Sequence, residues 1–467
     1  MRRRSLRSPT TRALVGAVQG LLALLGLPGC DRGAAPPPGA PSVILVSIDT
    51  LRADRLGAYG YERPTTPALD QLAAGGVLFE RAVAPAPWTM PSHASLLTGL
   101  LPARHGMLDV DRRLPDTTPT LAETIARAGF RTAAFVNSPY LVPKSGLVRG
   151  FEHYRYFDIA DPDSGRQVLS AEPAIAEICA WLDAHGNEPF FLFFHTFDVH
   201  SDYQPGPRYR EQFVRPYQGS FDGRSITLNR VRSGEIVPTA ADVAHVSDLY
   251  DGAIRQLDDR LSKLFDHLRE TGLAPHTYVM VTSDHGEEFF EHGSVLHGRT
   301  LFEEVLHVPL LVRGPGVPAG LRIPALVALV DVPLTILGLL GIPAETPGDG
   351  IDLRPLWQNG GTAAPVRAEA FAEAAPWKLW RGAQGHLIGV RTERFKLIRD
   401  LRSNRTLLYD LVTDPDETHN LSVERPEQVA ALAQQLERYL APVRREAPIG
   451  DLSAEEIERL RALGYAN

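Results

Sequence analysis

Residues Ser42 to Asp49 read SVILVSID, an apolar run without alternation that ends in an acid. A strand with one solvated face alternates apolar and polar side chains. An unbroken run therefore predicts a strand buried on both faces, as in a parallel sheet covered by helices. Phe190 to His195 (FFLFFH) and Thr277 to Asp284 (TYVMVTSD) repeat the pattern, and each again closes on polar side chains. Elsewhere the apolar period is that of helices: Pro67 to Ala74 stopped by Gly75-Gly76, Pro119 to Ala128 stopped by Gly129, and Asp242 to Glu270 stopped by Gly272. Arg131 to Asn137 reads as one more strand. The βα rhythm predicts an α/β fold, a large mixed or parallel sheet sandwiched by helices. Polar residues closing three separate strands point to one shared site at the carboxyl edge.

Near residue 385 the rhythm changes. HLIGVRTERFKLIRD and RTLLYDL read as short antiparallel strands, followed by amphipathic helices over Pro426 to Arg445 and Ser453 to Leu463. Ser453 and Glu456 open the last helix as a capping box. The expected organisation is a catalytic domain over 42–384 and a small C-terminal α+β subdomain over 385–467.

The N-terminus stands outside this pattern. MRRRSLR is a basic leader, and Ala13 to Leu27 is an apolar stretch short for a bilayer span. Leu27-Pro28-Gly29-Cys30 resembles a bacterial lipobox. The expectation is a lipoprotein-type signal peptide over 1–30 with Cys30 lipidated, and a Pro/Gly-rich tether over 31–41. The protein would then be exported and held to a membrane on the periplasmic or cell-surface side; simple cleavage and an uncleaved anchor are the alternatives. With Cys30 consumed, Cys179 in AIAEICAWL is left as a core residue and no disulfide is expected.

With 44% hydrophobic and 22% charged residues among 467, the chain has the composition of a folded enzyme. A formal charge of -8 and no long Lys/Arg run exclude nucleic acid as the main partner, since phosphate backbones need a basic face.

The chemistry concentrates in Trp88-Thr89-Met90-Pro91-Ser92-His93, where a hydroxyl precedes an apolar helical pattern. Thr89 would sit at a helix N-terminus, where unpaired N–H groups favour an anion or alkoxide; the plainer reading is a helix cap. Ser283-Asp284-His285-Gly286-Glu287 puts a carboxylate and an imidazole at a strand end. Asp49, Asp284 and His285 together supply oxygen and nitrogen donors suited to Mn²⁺, Ca²⁺, Mg²⁺ or Zn²⁺.

Three segments carry a resemblance: IDTLRADRLGAYGYERPTTPALDQLAAGGVLFERAVAPAPWTMPSHASLLTG, SDHGEEFFEHGSVLHGRTLFEEVLHVPLLVRGPG and VRTERFKLIRDLRSNRTLLYDLVTDPDETHNL. In order and spacing they resemble the start, the metal loop and the C-terminal subdomain of sulfatases, in the alkaline phosphatase superfamily. The resemblance implies that Asp49, Asp284 and His285 bind a divalent metal together with Thr89 at the nucleophile position. It also implies that His200 contacts the anion or protonates the leaving group. Three positions depart from the family. Thr89 replaces the Cys or Ser that becomes formylglycine, so no formylglycine is expected. His93 stands for the Arg of the motif, where it would help position the transferring group, and Thr50 replaces a second Asp. The family's Lys ahead of LFEE is displaced, with His297 and Arg299 as the nearest substrate-binding candidates.

A Thr ester of sulfate lacks the second hydroxyl through which a formylglycine hydrate sheds sulfate by elimination. Phosphoryl transfer through a metal-bound Thr needs no such route. The expectation is thus a metal-dependent hydrolase of sulfate or phosphate-type esters of small molecules, glycans or lipids. A phosphodiesterase, phosphonate monoester hydrolase or phosphotransferase is the alternative, and an inactive binding protein a further one. A second metal on Asp198, His200 and His297 is also conceivable.

Overall fold

The computed structural model describes residues 36–158, 171–345, 347–358, 367–378, 385–441, 447–450 and 452–462. Cys30 and the 1–30 segment lie outside them.

The strands of the main sheet are β1 (Ser42–Ile48), β2 (Val77–Val83), β3 (Arg131–Val136), β4 (His153–Tyr156), β5 (Phe190–Thr196) and β6 (Thr277–Thr282). After a hairpin, β7 (Glu288–Phe289) and β8 (Val295–Leu296), the sheet is completed by β9 (His307–Val308), β10 (Leu310–Arg313) and β11 (Leu321–Ala328). Its order is β11-β2-β10-β6-β1-β5-β3-β4, with β9 on β2. β1 lies between β5 and β6, parallel to both, and every residue of it is buried, which accounts for its continuous apolar run. β10 runs against β6 and β2, so the sheet is mixed.

The period of two sorts the sheet's side chains between two cores. Val43, Leu45, Phe191 and Phe193 join Met90, Leu96 and Leu97 of the Thr89–Thr98 helix. Ile44, Val46, Ile48, Leu192 and Phe194 pack on the other side with Leu249, Leu257, Leu261 and Leu264 of the Ala240–Glu270 helix. Each fully buried Phe contributes about 2 kcal/mol of transfer free energy. By the same parity Ser47 and His195, opposite each other in register, face the Thr89–Thr98 helix.

Local chemistry sets the helix ends. Pro67 starts the Pro67–Ala74 helix, and the Asp258 carboxylate accepts the N–H groups of Ala68 and Leu69 at 2.8 and 2.9 Å. Thr239 and Asp242 form a capping box that opens the 31-residue Ala240–Glu270 helix. Ser453 and Glu456 form another before the Ala454–Ala462 helix.

A smaller antiparallel sheet runs β12 (Ala370–Ala374), β13 (Leu387–Arg391), β14 (Phe395–Asp400) and β15 (Thr406–Asp410), with the Pro426–Leu440 helix against β13 and β14. Its first strand comes from ahead of residue 385. A buried ion network joins it to the main domain: Lys396, 1% exposed, meets Glu303 at 3.0 Å and Glu417 at 2.8 Å, and Arg391 meets Glu303 at 3.1 Å. Among the described residues no helix is long and apolar enough to cross a membrane.

Candidate active site

The carboxyl ends of the three central strands, β6, β1 and β5, deliver Asp49, His195, His200 and Asp284 to one place. The segment leaving β2 brings Thr89 to the same edge as the first residue of its helix, with Trp88 as the preceding cap. Asp49, Thr89, His93, Asp284 and His285 are all fully buried.

The Thr89 hydroxyl points at two neighbours: Asp49 Oδ2 at 3.4 Å and His285 Nε2 at 3.5 Å. His285 Nδ1 lies 2.9 Å from the Gly286 carbonyl oxygen. A carbonyl only accepts, so Nδ1 carries the hydrogen and the neutral ring turns its Nε2 lone pair inward. There it faces Asp49 Oδ1 at 3.6 Å and Asp284 Oδ2 at 3.4 Å. Burial, with crowding by His297, holds His285 well below the usual imidazole range, so protonation is not what reconciles the lone pair with the carboxylates.

Asp49 Oδ1 and both carboxylate oxygens of Asp284 receive no hydrogen bond of good geometry, and among the described residues no Lys or Arg is ion-paired with either acid. Burial, then Glu287 for Asp49 and Asp49 for Asp284, pushes both carboxyls well above the usual range. One donor atom each from Asp49, Asp284 and His285 lies within 4.8 Å of the others. Two buried acids, an inward imidazole lone pair and a hydroxyl form a donor set that fits a divalent cation.

A second cluster, His292, Glu304 and Glu417, has similar spacing but a different charge balance. His292 lies 3.0 Å from Glu304, and Lys396 neutralises Glu417, so the chain's own cations already compensate these acids. Glu304 pulls His292 upward against its burial.

The remaining sequence-derived candidates fall at different depths. His93 is saturated by the protein: Nδ1 bonds the Thr89 carbonyl oxygen at 2.9 Å and Nε2 the Ser47 hydroxyl at 3.0 Å. It braces the first turn of the Thr89–Thr98 helix, and its Nδ1 is 3.5 Å from Asp284 Oδ2. His200 bonds the Ser201 carbonyl oxygen through Nδ1 at 2.6 Å and stacks on Phe197. Burial pulls it down to about 3. His297 packs ring to ring with His285, centroids 4.4 Å apart, and with His200 at 5.0 Å. Arg299 follows two residues later, where the charge it feels is that of Glu288. Asp198 is held by Arg260 and the Ala171 N–H, and among the described residues Asp198, His200 and His297 do not form a group at metal-ligand spacing.

Arg232 and Trp377 escaped the sequence reading, while His195 entered it only as the polar end of FFLFFH and Glu287 only as the last residue of its motif. His195 donates from Nδ1 to Ser47 O at 3.1 Å, and its Nε2 stands 3.4 Å from Asp49 Oδ2; its place two residues after Phe193 was the available signal. Glu287 bonds His297, and burial lifts it to about 7. Arg232 lies over Trp377 at 5.2 Å, and Trp377 meets Trp88 edge-on at 5.4 Å, forming a wall beside Thr89. Arg232 and Trp377 carried no sequence signal, because they come from segments remote from every motif.

The chain matches two family models: Sulfatase, over residues 41–342, and N-sulphoglucosamine sulphohydrolase, C-terminal, over residues 291–446. It is 26% identical to arylsulfatase K of Rattus norvegicus over 85% of this chain and 77% of the relative. It is 23% identical to N-acetylglucosamine-6-O-sulfatase of Bacteroides thetaiotaomicron over 86% of each. The solved phosphonate monoester hydrolase of Agrobacterium radiobacter shares the fold, with TM-score 0.74, 22% identity, and coverage of 88% of this chain and all of the other. With the Sulfatase model matched over well more than half its length, and the mixed sheet and C-terminal sheet in place, the chain belongs to the sulfatase family.

Proposed function

We propose that the protein is a metal-dependent hydrolase of tetrahedral anionic esters that uses Thr89 as its nucleophile, with phosphorus esters preferred over sulfate. The observation that carries this reading is the Thr89 hydroxyl set between Asp49 and His285 at two buried acids, Asp49 and Asp284, with which no Lys or Arg among the described residues is ion-paired. Asp49, Asp284, His285 and Thr89 would hold the cation, which supplies positive charge that favours the alkoxide and offsets the ester's oxygens.

Thr89 Oγ1 attacks phosphorus and the bond to the substrate alcohol breaks, leaving a Thr phosphoester. Asp49 Oδ2 is the nearest acceptor for the hydroxyl hydrogen. The leaving alkoxide recovers the Thr89 proton, relayed through an imidazole of the His200 and His297 pair that is neutral at rest. Water then attacks phosphorus, the bond to Thr89 breaks, and a proton from that water restores the Thr89 hydroxyl. A Thr-bound sulfate would need the same attack by water at sulfur, without the elimination open to a formylglycine hydrate. The sulfatase relatives support sulfate as the second reading, and the phosphonate monoester hydrolase fold is in keeping with the first.

The test is hydrolysis of matched p-nitrophenyl sulfate, phosphate, phosphodiester and phosphonate esters with Mn²⁺, Ca²⁺ or Zn²⁺, comparing wild type with Thr89→Ala. Thr89-dependent turnover of the phosphorus esters far above sulfate supports the reading. Dominant sulfate turnover overturns the preference, and no Thr89-dependent turnover leaves a binding protein. The lipobox-like segment ending in Cys30 further supports an exported, lipid-tethered enzyme, to be checked by mass spectrometry of the mature N-terminal peptide.

A further inference from the structure

Of the two arginines that close the Ser225–Arg232 helix, one turns to solvent and the other to the site. Arg230 pairs with Glu235 at 2.7 Å on the surface. Arg232 is half-buried, with its Cζ 5.2 Å from the centre of the Trp377 ring. Contacts along the helix fix this choice. The Ser225 N–H donates to the Asp202 carboxylate at 2.6 Å, Leu228 and Val231 are buried in the core beneath, and the helix packs on β8, the strand that leads into His297.

Trp377 determines where the guanidinium stands. Its ring meets Trp88, the residue before Thr89, edge-on at 5.4 Å, and lies so close to the chain after His297 that a Cβ on Gly298 would come within 2.3 Å of it. The next residue ties the segment down: Lys378 meets Asp111 at 2.6 Å, and its N–H donates to Asp109 at 3.2 Å. A guanidinium over this ring therefore faces the site from the side of His297. Its charge is felt there. After burial, Arg232 is the further cause that holds His297 well below the usual imidazole range, and the same charge reaches Glu287.

Charge balance says what an arginine does in that place. A divalent cation on Asp49 and Asp284 would leave that centre without net charge, and His200, His285 and His297 are neutral at rest. An anionic ester then brings negative charge that none of these groups meets. The two oxygens of Glu287 are engaged by His297 at 2.8 Å and by the Tyr203 hydroxyl at 2.5 Å, and Arg299 has Glu288 beside it. A guanidinium stacked by one face keeps its N–H edge for a pair of oxygens and stays charged at every working pH. We infer that Arg232, laid on Trp377, is a substrate-binding residue whose N–H groups take anionic oxygens of the transferring group when the ester binds. This rests on the ester hydrolysis proposed above.

The experiment uses the full chain with Mn²⁺ and compares wild type, Arg232→Met and Arg232→Lys. Met keeps an apolar stem on Trp377 without the charge, and Lys keeps the charge without the flat, forked donor set. Two readouts are taken: binding of inorganic phosphate by titration calorimetry, and kcat and KM on methyl p-nitrophenyl phosphate and its ring-carboxylated analogue. Arg232→Met should weaken phosphate binding and raise KM on both esters about 10- to 100-fold, with kcat changed much less. Arg232→Lys should recover part of the loss, and added salt should weaken phosphate binding less in Arg232→Met than in wild type. Unchanged phosphate affinity and KM in Arg232→Met would overturn the assignment. So would a loss confined to the carboxylated ester, which puts the anion on the alcohol half. Equal losses in Met and Lys with equal falls in melting temperature would also overturn it, leaving Arg232 as a packing residue. With Thr89→Ala in the same series, phosphate binding that depends on Arg232 without any Thr89-dependent turnover would sink the proposed function and leave the anion site standing.

Discussion

Replacing Asp284 with Asn should stabilise the metal-free protein while weakening its response to divalent cations, two opposite signs from one substitution. The donor atoms of Asp49 and Asp284 lie within 4.8 Å, where two unit charges at an effective dielectric near 20 repel by about 3.5 kcal/mol. Sharing a proton caps that cost, since burial and mutual repulsion push both carboxyls well above their ordinary range. A group whose folded pKa is raised contributes stability at low pH and loses it as pH rises through the folded value. The chelated wild type should therefore weaken from the ordinary carboxylate range upward, and Asp284→Asn should flatten the decline. Urea unfolding in EDTA at pH about 5 and about 8.5 measures this. The variant should gain roughly 1–3 kcal/mol at the higher pH and little at the lower, within the Coulomb figure. Added Mn²⁺, Ca²⁺ or Zn²⁺ should then stabilise wild type more than the variant, because the cation loses a charged donor. An Asn variant less stable than wild type in EDTA at the higher pH would refute the argument, since the Asp284 charge would then be compensated by the chain itself.

Lys396→Met should destabilise the fold by about 3–5 kcal/mol, because it leaves Glu303 and Glu417 buried without their ammonium, and denaturant midpoints measure the loss. Gly298 has φ +93, and a Cβ there would meet Trp377 Cζ2 at 2.3 Å. Gly298→Ala should lower kcat/KM by pushing the 298 backbone off Trp377 and shifting the adjacent His297, with thermal denaturation showing an accompanying loss of stability.

Much of the fold was legible because it is local. The run from Val43 to Ile48 reports burial on both faces, and β1 indeed has parallel neighbours on either side. The helix over Pro67–Ala74 carries its start and stop in its own residues. What was hidden depends on distant partners. Lys396 falls at a strand position that reads as an ordinary surface charge, and only Glu303 and Glu417, far away in sequence, make it a buried one. β12 pairs with β13 across a long gap, so the change of rhythm near 385 came one strand too late. In the site, Thr89, Asp49, Asp284 and His285 were readable as motif ends. His195 and Glu287 were readable as positions, but their contacts with Asp49 and His297 were not, and Arg232 comes from a segment that no local pattern names.

The reversed direction of β10 has a consequence for how this site can change. In an all-parallel sheet the chain leaving β6 would cross to the opposite edge before the next strand begins. Here Leu310 pairs with Thr282, so the chain re-enters the sheet from the edge it left. The whole excursion from Ser283 to Leu306 stays at the site's edge, and one contiguous stretch carries Asp284, His285, Glu287, His297 and the Glu303 anchor. These residues can be inherited, duplicated or exchanged as one genetic cassette. The Thr89–Thr98 helix, encoded far upstream, can vary independently, so Thr could occupy position 89 without disturbing the acids that face it.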